Sequence, residues 1–231
     1  MLSGGNCASQ FNGQKETSVP DLTIGQRVAI AGATGYIGGR LAPRLLSDGY
    51  KVRCLVRTPE KLAERAWAAN PDVEIWPADL SDSASLTKNL AGCQTAFYLV
   101  HSMTSAGAEY VEQDRHLALQ FATAARDAGV GRIVYLGGLG ETGANLSDHL
   151  ASRREVEKDL ASTGVPVTVL RAAMIIGSGS ASHAAVGSFP AQPLLRLDVP
   201  LRVSLSAVND VKDRAVPLVE NPNARRCYRE L

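Results

Sequence analysis

An excess of either charge is what this chain most plainly lacks. Its 24 Lys and Arg stand against 23 Asp and Glu, a net charge of +1. A protein that grips a nucleic-acid backbone needs a clustered excess of basic residues, so no nucleic-acid partner is expected. Long apolar runs are also missing: no stretch approaches the roughly 18 residues that a membrane span requires. The opening residues, MLSGGNCASQFNGQKETSVPDL, have no charged start followed by an apolar block, which argues against a signal peptide. Glu16 and Asp21, with little Arg nearby, argue against a transit peptide. Residues 1–25 therefore read as a disordered leader. The four cysteines, Cys7, Cys54, Cys93 and Cys227, share no metal-ligand spacing, so no metal site is expected. Cys54 and Cys93 lie in apolar runs and read as small core residues, which fits a reducing cytoplasm. No internal repeat is visible, which excludes a solenoid.

What is present is an alternation that begins near residue 27. Short apolar runs at 27–32, 51–56, 73–76, 95–100, 132–137 and 165–176 are separated by segments of helical period at 38–49, 58–67, 81–92, 109–128 and 148–162. Near-continuous apolar strands between helices imply a parallel sheet covered on both faces. Right-handed crossovers make it an α/β Rossmann doubly wound sheet over residues 26–177. Pro43 is tolerable only near a helix start, and Thr58-Pro59 read as N-cap and first helical residue. Tyr98 and Tyr135 fall inside strands and read as core. After Gly177 the pattern fades into a loop at 177–188, a proline-broken stretch at 189–206 and a final helix at 208–222. Residues 178–231 read as a short substrate-side C-terminal appendage, either minimal or truncated, ending in CYREL, which looks like the start of a strand.

GATGYIG at 32–38 places three glycines between the first strand and the first helix. In that setting Gly32 permits a tight turn, Gly35 lets main chain approach a pyrophosphate, and Gly38 lets the helix pack close. The helix N-terminus then presents N–H groups and a positive dipole end to the phosphates. The loop contacts are assigned to Gly32, Thr34, Gly35, Tyr36, Ile37 and Gly38. At the end of the second strand, where an acidic residue would hold the ribose hydroxyl of NAD, the chain has Arg57. A guanidinium suits a 2′-phosphate, so NADP is the expected cofactor, with NAD the alternative. Asp79, followed by Leu80, is placed either at the adenine edge or as a cap of the next helix.

AGATGYIGGRL, LVR, ADLSD, AGVGRIVYLGG and GVPVTVLRAAMIIGSGS, in this order, resemble the short-chain dehydrogenase/reductase superfamily. The similarity is greatest to its atypical NAD(P)H-binding branch, with NmrA-like and complex I accessory-subunit-like members. It covers roughly residues 27–180, and 208–231 also resembles a later stretch of extended members. The resemblance implies a Rossmann fold with the nicotinamide over the carboxyl ends of the fourth to sixth strands. It also implies a Ser after the fifth strand and a Tyr-x-x-x-Lys pair on the next helix, the Tyr donating a proton and the Lys tuning it and holding the ribose. This chain departs on every count. The Ser region reads GGLGE, with Gly137 and Gly138, and HLASR places His149 and Arg153 at the Tyr and Lys positions.

His149 is a titrating group near neutral pH and a candidate acid. Arg153, four residues on and on the same helix face, can bond a ribose but cannot shuttle a proton. His101, at the end of the fourth strand, is a second candidate acid, with Ser102 beside it. Arg171, near the end of the sixth strand, either lines the pocket or pairs with an acidic neighbour. The expectation is an NADPH-dependent oxidoreductase acting on a quinone-like or carbonyl small molecule. The alternatives are a non-catalytic NADP(H) sensor and an assembly or scaffold protein; neither substrate nor oligomeric state is legible.

Overall fold

The computed structural model describes residues 25–101, 109–138, 148–172 and 228–230. Its strands are β1 (Arg27–Ala31), β2 (Lys51–Val56), β3 (Val73–Pro77), β4 (Thr95–Tyr98), β5 (Arg132–Gly138), β6 (Val167–Ala172) and β7 (Tyr228–Glu230). Its helices are α1 (Gly38–Ser47), α2 (Glu60–Ala63), α3 (Ser83–Leu90), α4 (Glu109–Asp127) and α5 (Asp148–Ala161). The strands form one seven-stranded sheet in the order β3-β2-β1-β4-β5-β6-β7, every pair parallel. β7 comes from the CYREL stretch and pairs Val169 with Tyr228. The leader, Ser102, the loop at 177–188 and the final helix at 208–222 lie outside the described residues.

The two-residue period of a strand explains both faces of the sheet. In β1, Val28 and Ile30 join Leu41, Leu45, Val52, Cys54 and Leu62 under α1 and α2. Ala29 and Ala31 point the other way and join Ala118, Phe121, Ala122, Val156 and Leu160 under α4 and α5. Fully buried leucines such as Leu41, Leu45 and Leu62 each contribute roughly 1.5–3 kcal/mol of burial. Small residues on the α4 side let that helix lie close: Ala29, Ala31 and Ala96 face Ala118 and Ala122. Tyr98 fills the space left, its ring 5.0 Å from that of Phe121.

Two local expectations are corrected. The helix expected over 58–67 is α2 followed by a 3-10 turn at Ala66–Ala69, and Pro59, not Thr58, stands at its N-cap with no side-chain cap. Leu62 is buried and Trp67 packs against the same cluster. Five residues apart on one helix they would point roughly 140° apart. The extended residue Arg65, ψ 120°, lets both reach the core. Likewise Pro43 lies inside α1, well past its start, so the helix forgoes the bond Pro43 would donate to the Gly39 carbonyl. Packing of Leu41, Ala42 and Leu45 outweighs that loss.

The crossovers through α1 and α4 end by the same device. Gly49 has φ 85°, with the Tyr50 N–H donating to the Leu45 carbonyl at 3.0 Å; Gly129 has φ 73°, with Val130 donating to Ala125 at 2.9 Å. These glycine-terminated turns point β2 and β5 back into the sheet. All the carboxyl ends of the strands then gather at one edge, with the order reversing between β1 and β4. That reversal opens the crevice in which doubly wound folds bind ligands.

Candidate functional site

The three loop glycines are needed for different reasons. Gly32 has φ 95°, and a Cβ there would stand 2.9 Å from the Leu99 carbonyl oxygen and 3.3 Å from Leu99 Cβ. Its bareness closes the β1 turn onto the end of β4. At Gly38 a Cβ would run into the Gly32 carbonyl oxygen and stand 2.8 Å from Ala33 Cα, so α1 starts against the strand end only as glycine. Gly35 is exposed, and a Cβ there would meet only the Gly32 oxygen, at 3.2 Å. Among the described residues the fold constrains Gly35 less than Gly32 or Gly38, through that one tight contact.

The turn's own hydrogen bonds run from Gly35 N–H to Gly32 O (3.0 Å), from Gly39 N–H to Gly35 O (2.9 Å) and from Leu41 N–H to Ile37 O (2.8 Å). They leave the N–H groups of Thr34, Tyr36 and Ile37 with no partner among the described residues. Ile37 at the N-cap offers no side-chain acceptor, and the first turn of α1 holds no acidic residue. Unpaired N–H groups at the positive end of a helix suit an anion. Arg40 stiffens the wall: its Nη1 donates to the Tyr36 carbonyl at 3.1 Å and its guanidinium lies 3.8 Å over the Tyr36 ring. A diphosphate therefore fits, because a bare Cα faces it and main-chain donors surround it.

Arg57 is exposed immediately after β2. Asp79, one strand further, accepts both the Ser81 N–H (2.9 Å) and the Ser81 hydroxyl (2.8 Å) on Oδ1. Those two bonds, backbone first, hold its carboxyl below the usual range, and the charge of Arg57 adds to the effect. Arg57 and Asp79 are thus brought together. The cap of α3 is Asp82, which accepts the Ser85 N–H at 3.1 Å, and Leu80 is buried in the core.

At the other end of the crevice, His101 follows β4 and its Nδ1 lies 2.6 Å from Asp114 Oδ2 on α4. Asp114 is 4% exposed by side chain and His101 13%. Asp114 escaped the sequence reading, although a trace was there. It sits four and seven residues before Ala118 and Phe121, an acid on the buried stripe of α4. Arg153 Nη1 donates to the Leu136 carbonyl on β5 at 3.1 Å, and the Tyr135 hydroxyl donates to the Arg153 carbonyl at 3.4 Å. His149 lies in the first turn of α5, and its side chain is outside the described residues. Gly137 is buried in β5, where a side chain would meet Tyr135 and Val169 at 3.4 Å. Arg171 donates to Glu157 at 2.9 and 3.2 Å. Burial pushes the hydroxyls of Tyr98 and Tyr135 well above the ordinary phenol range, as expected of core groups.

A sheet of this order with a main-chain anion cradle at its first turn defines a Rossmann dinucleotide-binding protein. Residues 32–191 match the NAD(P)H-binding family, and the chain belongs to it. Its cofactor is a nicotinamide dinucleotide. The chain is similar to a ceramide reductase of Caulobacter vibrioides, 30% identical over 195 residues that cover 83% of this chain. A dihydroflavonol 4-reductase of Hordeum vulgare is 35% identical over 81 residues, 33% of this chain. The chain spans 59% of the length of the first and 23% of the second. Among solved structures, the triphenylmethane reductase of Citrobacter sp. in complex with NADP(H) superposes with TM-score 0.52 at 25% identity, covering 64% of this chain and 50% of that one. A Rossmann-fold NAD(P)-binding family protein of Shigella flexneri superposes with TM-score 0.62 at 16% identity, covering 87% and 89%. No described helix is long and apolar enough to cross a membrane, and no described cluster of His, Cys, Asp or Glu is set to hold a metal.

Proposed function

We propose that the protein is an NADPH-dependent oxidoreductase acting on a quinone-like or carbonyl small molecule. The observation that carries this reading is Gly35, exposed at the turn amid the N–H groups of Thr34, Tyr36 and Ile37, which have no partner among the described residues. These groups hold the diphosphate, with Gly32 and Gly38 shaping the turn. Arg57 binds the 2′-phosphate, and Asp79 and Leu80 border the adenine end. Arg153 and His149 on α5, with His101 after β4, are the residues assigned to the nicotinamide end. The bound dinucleotide supplies the hydride. Similarity to reductases, one of them solved with NADP(H), supports the direction of the reaction.

A second reading, a non-catalytic NADP(H) sensor or assembly factor, is favoured by HLASR. It has no phenol at position 149, and Arg153 is anchored to the Leu136 carbonyl. Isothermal titration with all four nicotinamide dinucleotides, then turnover of the best binder against quinones and carbonyls, separates the two. NADPH binding with turnover is expected. Binding without turnover across the panel supports the sensor or scaffold, and no binding overturns both.

A further inference from the structure

We infer that His101 is the proton donor of this site and that Asp114, a residue no motif marks, is the group that positions it. The inference rests on the oxidoreductase reading. His101 stands three residues past Tyr98, which pairs in register with Ala31 of β1 and Tyr135 of β5. The neighbouring Leu99 is the residue the Gly32 turn closes upon. The histidine is therefore tied to the same crevice as the diphosphate cradle. Nδ1 faces Asp114 Oδ2 at 2.6 Å, and the carboxylate is almost wholly buried on α4. A buried carboxylate at that distance holds the Nδ1 edge of the ring in place, which assigns the proton exchanged with substrate to Nε2. A carboxylate this deep has a heavy desolvation cost unless a cation or donor stands against it.

The other groups around the pair do not replace it. Tyr98 and Tyr135 are the phenols whose charges interact with Asp114, and burial holds both protonated. Arg153, beside Tyr135, stays charged and transfers no proton. The step balances as follows. With NADPH bound, a C–H bond of its reduced nicotinamide would break, oxidising it to NADP, as that electron pair forms the C–H bond at the substrate carbon and the C=O π pair moves to oxygen. That oxygen takes the proton leaving Nε2, and water reloads the imidazole. A carbonyl substrate leaves a strongly basic alkoxide and needs this donor; a quinone leaves a stabilised phenolate and needs it far less.

The test pairs spectroscopy with kinetics. Long-range 1H–15N correlation of the imidazole rings, without cofactor, is expected to show Nδ1 of His101 protonated in the native chain. Asp114→Asn is expected to alter that signal while the fold, checked by thermal unfolding, persists. An identical His101 spectrum in native and Asp114→Asn protein overturns the pairing, whatever the enzyme does. His101→Gln is expected to lower carbonyl turnover on the order of 100-fold or more, with a smaller loss for quinone acceptors. His101→Asn serves as the second variant if Gln disturbs the fold. Unchanged carbonyl turnover in a folded variant overturns the role of His101 and leaves the oxidoreductase reading standing. Native protein that reduces no acceptor overturns that reading, and the donor role with it.

Discussion

Gly35 and Gly38 lie three residues apart, and the reasons for their bareness differ. At Gly38 the protein's own backbone occupies the place of a Cβ; at Gly35 one carbonyl oxygen of the described residues approaches, at 3.2 Å. Gly38→Ala is expected to destabilise the fold by about 1–3 kcal/mol, the usual range for overpacking, read as a lower urea midpoint. Gly35→Asp is expected to fold and yet lose dinucleotide binding, because a carboxylate would face the diphosphate. Titration calorimetry checks this, and a folded Gly35→Asp variant that still binds would remove the loop from the site. Arg57 makes a second test. Charge-assisted bonds contribute about 1.5–3 kcal/mol, so Arg57→Asp is expected to shift the NADP:NAD ratio of dissociation constants at least tenfold towards NAD. The nearby Asp79 moderates that value, since its charge already meets Arg57. The glycines were readable from spacing alone. Asp114 was not, because an acid on a helix stripe declares its partner only once the helix is docked.

Among the elements, β2 holds the least expected feature, a buried arginine within an apolar run. Arg53 donates to Glu74 at 2.6 Å and to the Asn89 and Ala91 carbonyls at 2.8 and 2.9 Å, and lies 4.2 Å over the Trp76 ring. One side chain thus joins β2 to β3 and satisfies the open carbonyls at the end of α3, where a cation is also favoured. Arg53→Met is expected to cost about 2–3 kcal/mol, since it strands those acceptors. Burial pushes the Glu74 carboxyl up, but the hydrogen bond and charge of Arg53, then those of Arg27, outweigh it, so the net is below the usual 4.5. A lowered folded value means stability present above the unfolded pKa and lost as pH falls through the folded one. Glu74→Gln is expected to flatten the loss of urea stability below about pH 4.5, modestly, since the carboxylate is 32% exposed. A variant as acid-sensitive as the native chain would show the network does not couple to folding. Nearby, burial pushes the Cys54 thiol up to about 12, consistent with an unreactive core residue. The helices with Gly C-caps were legible; the break after α2 was not, because it arises from Trp67 seeking the core rather than from any local breaker.

For the whole molecule, alternation of apolar strands and helices made the doubly wound sheet legible, since each strand buried on both faces leaves a continuous apolar run. Which strand ends would meet was less legible, because it depends on strand order. The diphosphate cradle belongs to the β1 turn, while His101, Arg153 and Arg171 belong to β4, α5 and β6. A dinucleotide spanning them stabilises the folded chain by linkage, because the unfolded chain offers no cradle. At a free concentration 100 times the dissociation constant the gain is about 2.7 kcal/mol. For a domain of this size each kcal/mol moves the midpoint by roughly 2–4 °C, so NADPH is expected to raise the melting temperature by roughly 5–10 °C. NAD at equal concentration should raise it less, and Gly35→Asp should not respond to either. Hydrogen exchange locates the effect: protection is expected at both the β1 turn and the end of β4. Protection confined to the β1 turn would mean that the nicotinamide end never reaches His101, and the two halves of the crevice would then serve different ligands.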